Sequence, residues 1–166
     1  MAEFKIGDVL MYSSVGLVKI VDVRREYAFG EEREYYILDD LASSSNSQIF
    51  VPRDNERLIS NMRELLSKEE ALSLLSKADR EDIVWHKDNR ARSECFKKII
   101  ESGDRAKLLS LISAINKAKE ERLKEGKKSF ILDENALDKA MRLIAAEFSF
   151  VLEKTADEIR NELAKI

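Results

Sequence analysis

The chain's only cysteine and only histidine, Cys95 and His86, are the side chains that could supply a nucleophile and its base. On one helix they would lie about 13 Å apart at a rise of 1.5 Å per residue, which is too far for direct activation. We therefore interpret Cys95 as a buried structural residue and His86 as a surface or helix-end residue. One cysteine and one histidine cannot assemble the usual zinc site either, so we expect no metal.

Other sources of enzyme chemistry are also missing from the sequence. Its five glycines are spread along the chain, which excludes a glycine-rich phosphate loop. Adjacent carboxylates such as Glu31-Glu32 and Glu69-Glu70 fall in predicted turns or helix caps and need no catalytic explanation. We predict a protein that is not an enzyme and binds no cofactor. A small hydrolase or transferase would require a polar pocket, of which the sequence gives no sign.

Charge is unevenly distributed along the chain. The net charge is -3 at pH 7, and the isoelectric point near 5.5 argues, as an average, against a nucleic-acid binder. Residues 85–128, however, contain 13 basic and 7 acidic residues, whereas residues 1–64 contain 8 basic and 12 acidic ones. An acidic protein thus contains a basic segment that begins at its only tryptophan. We expect weak, strongly salt-dependent binding to free DNA.

That tryptophan, Trp85, permits two interpretations. Most single tryptophans are core or half-core residues, so the ring can pack between helices while the nearby charges face water. Alternatively, a flat apolar ring at a helix edge among cations is suited to act as a minor-groove wedge. In that arrangement phosphate contacts hold the protein while the ring presses on a base step.

The predicted secondary structure changes once along the chain, from strands to helices. Up to about Met62, β-branched and aromatic residues between turn signals predict four or five short strands, four of which lie at residues 8–12, 15–23, 34–38 and 48–52. From Leu65 onward, Ser67-x-x-Glu70 and Thr155-x-x-Glu158 have the spacing of a capping box. Asp104 and Asp133 are placed to cap two longer helices. We predict an α+β protein, with a small bent β-sheet or barrel in residues 1–64 and an all-α bundle of four to five helices in residues 65–166.

Several stretches together resemble the CarD/CdnL family of bacterial transcription regulators. The run from Phe4 to Tyr12, with Gly16 following, is similar to the family's opening pattern F-x-hydrophobic-G-D-x-V-V-Y-P-x-x-G. Later stretches follow in the family's order: Tyr35 to Leu38, Ile49 to Pro52, Trp85, and Ser102-Gly103-Asp104. The resemblance covers essentially the whole chain.

For the first domain, the resemblance implies a Tudor-like or SH3-like fold. Such a domain is related to the polymerase-interaction domain of transcription-repair coupling factors and docks on the RNA polymerase β subunit. Docking between exposed sheet edges is a known recognition mode, and the candidate strand is Gln48, Ile49, Phe50 and Val51. Family members carry a basic residue where this sequence has Phe50, and we expect Arg24 and Arg25 to substitute for it.

For the second domain, the resemblance implies contact with promoter DNA at the upstream edge of the transcription bubble. Trp85 would wedge into the minor groove, with Lys87, Arg90 and Arg92 near phosphates. A wedge that fits only the opened junction stabilises the open promoter complex by differential affinity.

We therefore expect a monomeric transcription regulator in the cytoplasm, associated with the nucleoid. The single cysteine agrees with a reducing compartment, and no stretch of the sequence is suited to span a bilayer. The alternative is a polymerase- or protein-binding adaptor without direct DNA contact, in which Trp85 is a core residue.

Overall fold

The computed structural model describes residues 3–13, 15–77 and 79–166. It divides into two compact units, a sheet unit that ends at Leu65 and a helical unit that runs from Leu66 to Ile166. The elements of the sheet unit are β1 (Val9–Tyr12), β2 (Gly16–Ala28), β3 (Glu31–Asp40), β4 (Gln48–Pro52), α1 (Glu56–Ile59) and β5 (Met62–Glu64). Those of the helical unit are α2 (Lys68–Ser76), α3 (Asn89–Ser102), α4 (Arg105–Lys124), α5 (Ile131–Leu152) and α6 (Ala156–Leu163). The predicted α+β class is confirmed.

The sheet unit is built on five antiparallel strands in the order β4-β3-β2-β1-β5. The long hairpin β2–β3 pairs Val18 with Asp40 at one end and Ala28 with Glu31 at the other. A register shift between Ile20 and Asp22 marks a bulge, which increases the local twist and bends the strand. β4 and β5 are therefore the edge strands of this sheet.

One face of the sheet forms the core of this unit. Alternate residues along a strand share a face of the sheet. Because the sheet is bent, the side chains of this face pack against one another. The buried cluster consists of Phe4, Leu10, Tyr12, Val18, Ile20, Tyr36, Leu38, Val51 and Met62. Burial raises the pKa of the Tyr12 phenol, which agrees with its place among apolar side chains.

Capping residues define the ends of the helices. The predicted capping box at Ser67 is present, because its hydroxyl accepts from the Glu70 N–H while the Glu70 carboxylate accepts from the Ser67 N–H. Asp104 accepts from the Lys107 N–H at the start of α4, and Thr155 accepts from the Glu158 N–H at the start of α6. Gly103 ends α3 in the left-handed conformation with φ of 60°, which glycine adopts without strain.

Asp133 does not have the capping role that its sequence position predicted. Helix α5 begins earlier, at Ile131, and its N-cap residue Phe130 makes no side-chain capping bond. Asp133 instead lies inside the first turn, where it is buried and paired with Arg92 of α3. A carboxylate in the first turn also interacts favourably with the helix dipole.

Helix α5 is the centre of the helical unit and packs against α2, α3, α4 and α6. Fully buried side chains from these helices interlock around it, among them Phe96, Leu109, Ile112, Ile144, Phe148 and Ile159. No helix within the described residues is long and apolar enough to cross a membrane.

Candidate functional site

Trp85 lies in an irregular segment just before α3, and not at the edge of a helix as the sequence suggested. Its ring is half-buried and meets the Phe96 ring edge-to-face, with 5.5 Å between the centroids. The Arg92 guanidinium stacks on the same ring at 5.2 Å, within the range of a cation–π contact. Two residues of α3 thus fix the ring from the helix side, while part of it stays accessible to solvent.

Arg92 is the most constrained side chain of this region, with only 1% of its surface exposed. Its Nε donates to Asp133 Oδ1 at 2.9 Å, and its Nη2 donates to Asn89 Oδ1 at 3.0 Å. Its Nη1 donates to the backbone oxygen of His86 at 2.9 Å. The expectation that Arg92 lies near DNA phosphates does not agree with this burial, because the guanidinium already serves partners inside the protein.

Alternating cations and aromatic rings continue from Trp85 across the helical unit. The Arg92 guanidinium also lies 5.2 Å from the centroid of the Phe130 ring, and the Arg122 guanidinium of α4 lies 4.1 Å from the same centroid. Arg122 Nε also donates to the backbone oxygen of Lys128 at 2.8 Å. The segment that carries Trp85 is therefore connected through Arg92 to the adjoining ends of α4 and α5.

Lys87 and Arg90, which follow Trp85 closely in the sequence, remain accessible. Both are exposed, and neither forms an ion pair with another residue that the structure describes. Several other cations of residues 85–128 are engaged with carboxylates, namely Lys97, Arg105, Lys119, Lys124 and Lys127. The Arg105 partner, Glu147, is itself buried and accepts two bonds from the guanidinium, at 2.9 and 2.7 Å. Lys87 and Arg90, together with the exposed Lys117 of α4, which lines the same cleft as Trp85, are cations near Trp85 suited to meet phosphates.

A cleft of about 560 Å³ lies beside Trp85, between the segment that precedes it and helix α4. Ile83 and Trp85 line one side, and Ser113 and Lys117 of α4 line the other. Neither His86 nor Cys95 is among the lining residues. Cys95 is half-buried, not buried as the sequence suggested.

In the sheet unit, the candidate docking strand β4 places its side chains on two faces. Ile49 and Val51 face the core, where Val51 is fully buried. Phe50 points to the other face and is 46% exposed. Its ring meets Tyr35 edge-to-face at 6.1 Å, and the Arg24 guanidinium lies 5.8 Å from its centroid.

Arg24 and Arg25, adjacent in sequence, belong to opposite faces of β2. Arg24 is opposite Tyr35 in the register, on the Phe50 face, whereas Arg25 is opposite Glu34. Arg24 also pairs with Asp22 at 3.2 Å and Glu26 at 3.5 Å along the same strand face. Only Arg24 is thus brought together with Phe50.

Within the described part of the chain, the backbone of β4 has hydrogen-bonding groups at the sheet edge that pair with no other strand. The Arg53 N–H donates to the Glu34 oxygen at 2.9 Å, which makes these residues a hydrogen-bonded pair. Because such pairs alternate along an antiparallel ladder, Val51 and Ile49 bond inward to β3. The N–H and C=O groups of Phe50 and Gln48 therefore point away from the sheet, where another strand could pair with them.

Comparison with models of protein families matches residues 4–64 to the CarD-like/TRCF RID domain. The matched range contains all five strands and α1, and it ends one residue before the boundary of the sheet unit. A search of curated proteins finds no significant match to the chain. The matched family consists of domains that interact with RNA polymerase in transcription-related proteins. The resemblance noted in the sequence is thereby confirmed for the sheet unit.

Proposed function

Residues 4–64 form a domain of the CarD-like/TRCF RID family, and on this premise we propose that the chain is a transcription regulator that connects RNA polymerase with promoter DNA. The sheet unit binds the polymerase β subunit. The helical unit contacts DNA at the upstream edge of the transcription bubble and stabilises the open complex. The protein acts without catalysis. The family match over the complete sheet is the observation that carries this proposal.

Polymerase binding uses the free edge of β4. The outward backbone groups of Gln48 and Phe50 supply the hydrogen bonds of strand addition, and the exposed Phe50 ring with Arg24 supplies side-chain contacts. Val51 and Ile49 support the strand from the core. Arg25, on the opposite face, has a secondary part in this interface.

Phe50→Ala tests polymerase binding through the β4 edge without removing a backbone hydrogen bond. We expect roughly tenfold weaker binding to purified RNA polymerase, as for an aromatic anchor at an interface. Phe150→Ala is the matched control, since Phe150 is 50% exposed in the helical unit, close to the 46% of Phe50. Equal binding of Phe50→Ala and wild type would contradict the proposed docking strand.

DNA contact uses Trp85 with Lys87 and Arg90, while Arg92 holds the ring from inside. The ring is held on its helix side by Phe96 and Arg92, so it enters a base step with little loss of side-chain entropy. With an acidic sheet unit, the chain attracts free DNA weakly and depends on polymerase for its delivery. Because the opened junction accepts the ring and the closed duplex does not, binding favours the open state.

Trp85→Ala tests the wedge. The lifetime of open complexes formed with purified polymerase is expected to fall roughly tenfold, which corresponds to about 1.4 kcal/mol of lost stabilisation. Lys87→Ala and Arg90→Ala are expected to make smaller, salt-dependent reductions. An unchanged lifetime with Trp85→Ala, at retained polymerase binding, would refute the wedge.

An adaptor function without DNA contact is the second candidate. The half-buried environment of Trp85, packed against Phe96 and Arg92, favours it, since a ring with these contacts also has a structural role. Acrylamide quenching of Trp85 fluorescence separates the two functions, when it is taken as the difference between polymerase complexes formed with the wild type and with Trp85→Phe. Protection on adding promoter DNA supports the wedge, and unchanged quenching supports the adaptor.

A further inference from the structure

The β2–β3 hairpin extends beyond its neighbours in the sheet. β1 pairs with β2 only as far as Lys19, and β4 pairs with β3 only from Tyr35 onward. Because the Arg53 N–H still bonds to the Glu34 oxygen, the hairpin is a two-stranded ribbon from Glu26 and Arg33 to the turn. Such a ribbon has little stability of its own in water, so its turn is expected to favour the hairpin strongly.

The residues of this turn instead disfavour the conformation that the hairpin needs. Phe29 and Gly30 are its two central residues, with φ of 54° and 87°. Two positive φ values are the signature of the turn type that prefers Asn-Gly, and a bulky side chain at positive φ is disfavoured. Phe29 is also fully exposed, and Tyr27 beside it is 76% exposed. The aromatic side chain at position 29 thus opposes both the local backbone preference and the hydrophobic effect.

Strain and apolar exposure at the same residue indicate a function outside the unit. We propose that the hairpin tip is a second anchor on RNA polymerase, in which Phe29, flanked by Tyr27, inserts into an apolar pocket rimmed by basic residues. This inference rests on the proposed function, which supplies the partner. A ring on a two-residue turn loses little conformational freedom on binding.

The charges around the tip identify the partner as a protein with a basic surface. Glu26, Glu31 and Glu32 surround the aromatic pair. Within residues 26–33 these three carboxylates face a single cation, Arg33, which pairs with Asp54 as well as Glu31, so the tip keeps an excess of negative charge. An acidic tip is repelled by DNA phosphates and by anionic lipid, which leaves a basic-rimmed protein pocket as the complementary surface.

Phe29→Asn separates binding from folding, because it creates the Asn-Gly sequence that this turn prefers. We expect a melting temperature equal to or above that of the wild type, together with polymerase binding weakened roughly tenfold. Ile6→Asn, at an exposed apolar residue of the same unit away from the hairpin, is the control and should bind as the wild type does. Glu32→Lys should weaken binding as well, and more so at low salt.

Each outcome bears on the inference. Wild-type affinity for Phe29→Asn, with Phe50→Ala weakened, would overturn the anchor while leaving the proposed function intact. Tighter binding of Glu32→Lys to polymerase would contradict the proposal that basic residues rim the pocket. If the wild-type chain does not bind polymerase at all, both the anchor and the proposed function are wrong.

Discussion

Replacing Arg92 by methionine tests whether the buried ion pair holds the Trp85 segment in place. The substitution removes the donor to Asp133 Oδ1 and the donors to the His86 backbone oxygen and the Asn89 side chain. Methionine is unbranched and apolar, so it fills much of the space without restoring any of these bonds. The carboxylate of Asp133, 4% exposed, is left without its cationic partner.

The expected loss of stability is large because the burial is nearly complete. Breaking a buried ion pair by removing one partner typically costs about 3–5 kcal/mol, whereas replacing both partners by apolar residues is often close to neutral. A domain of this kind has a free energy of unfolding of about 5–15 kcal/mol. Arg92→Met should therefore remove at least about a fifth of the free energy of unfolding, and Arg92→Met with Asp133→Leu should recover most of the loss.

Urea unfolding followed by helical circular dichroism measures the stability, and acrylamide quenching of Trp85 measures the order of the segment. The double variant separates the stability from the order of the Trp85 segment, because its stability is restored while the backbone around His86 still lacks the guanidinium. We expect near-wild-type stability but more efficient quenching in that variant. A single variant within about 1 kcal/mol of wild type, or wild-type quenching in the double variant, would refute the positioning role of Arg92.

Three further predictions concern the local structure of the helical unit. Hydrogen bonds from the Ser67 N–H and hydroxyl hold the pKa of Glu70 below its ordinary value of 4.5, so the contribution of this cap is present above pH 4.5 and is lost as pH falls through the lowered pKa. A carboxyl titration by NMR with a midpoint at or above 4.5 would contradict it. Asp104→Ala should cost about 1 kcal/mol in urea unfolding through the lost N-cap of α4, and Asp104→Asn, which keeps an acceptor, should cost less. Phe148→Ala, at a fully buried side chain, should cost about 3–5 kcal/mol, with the half-exposed Phe150→Ala as a control of small effect.

Features set by neighbouring residues could be predicted from the sequence. The caps at Ser67, Asp104 and Thr155 depend on a hydrogen bond to an N–H three residues away, and the helix end at Gly103 depends on one backbone conformation. The sequence displays such relations directly.

Features set by distant residues could not be predicted in the same way. Asp133 has the residue type and approximate position of a cap, but its partner Arg92 is 41 residues away in the sequence. The same pairing removes Arg92 from the exposed cations and fixes the surroundings of Trp85. The irregular segment that carries Trp85 has no periodicity from which its packing could be predicted.

The hairpin is also longer than the sequence predicts. β2 continues to Ala28 and β3 begins at Glu31, beyond the predicted strands at residues 15–23 and 34–38. Most side chains in these extensions are charged, so the alternation of apolar and polar residues that indicates a strand is lost. The short helix α1 was missed because, at four residues, it has no repeating apolar face, although Asn55 caps it by accepting from the Leu58 N–H.

The pairing of β1 with β5 has a consequence for how the sheet unit can be shared between proteins. Leu10 lies opposite Glu64 and Tyr12 lies opposite Met62, so the chain enters and leaves this unit on adjacent strands. A module whose ends are neighbours can be joined to a different protein at that one edge without disturbing its internal pairing. This geometry makes the unit portable, in keeping with a family whose description covers two kinds of protein.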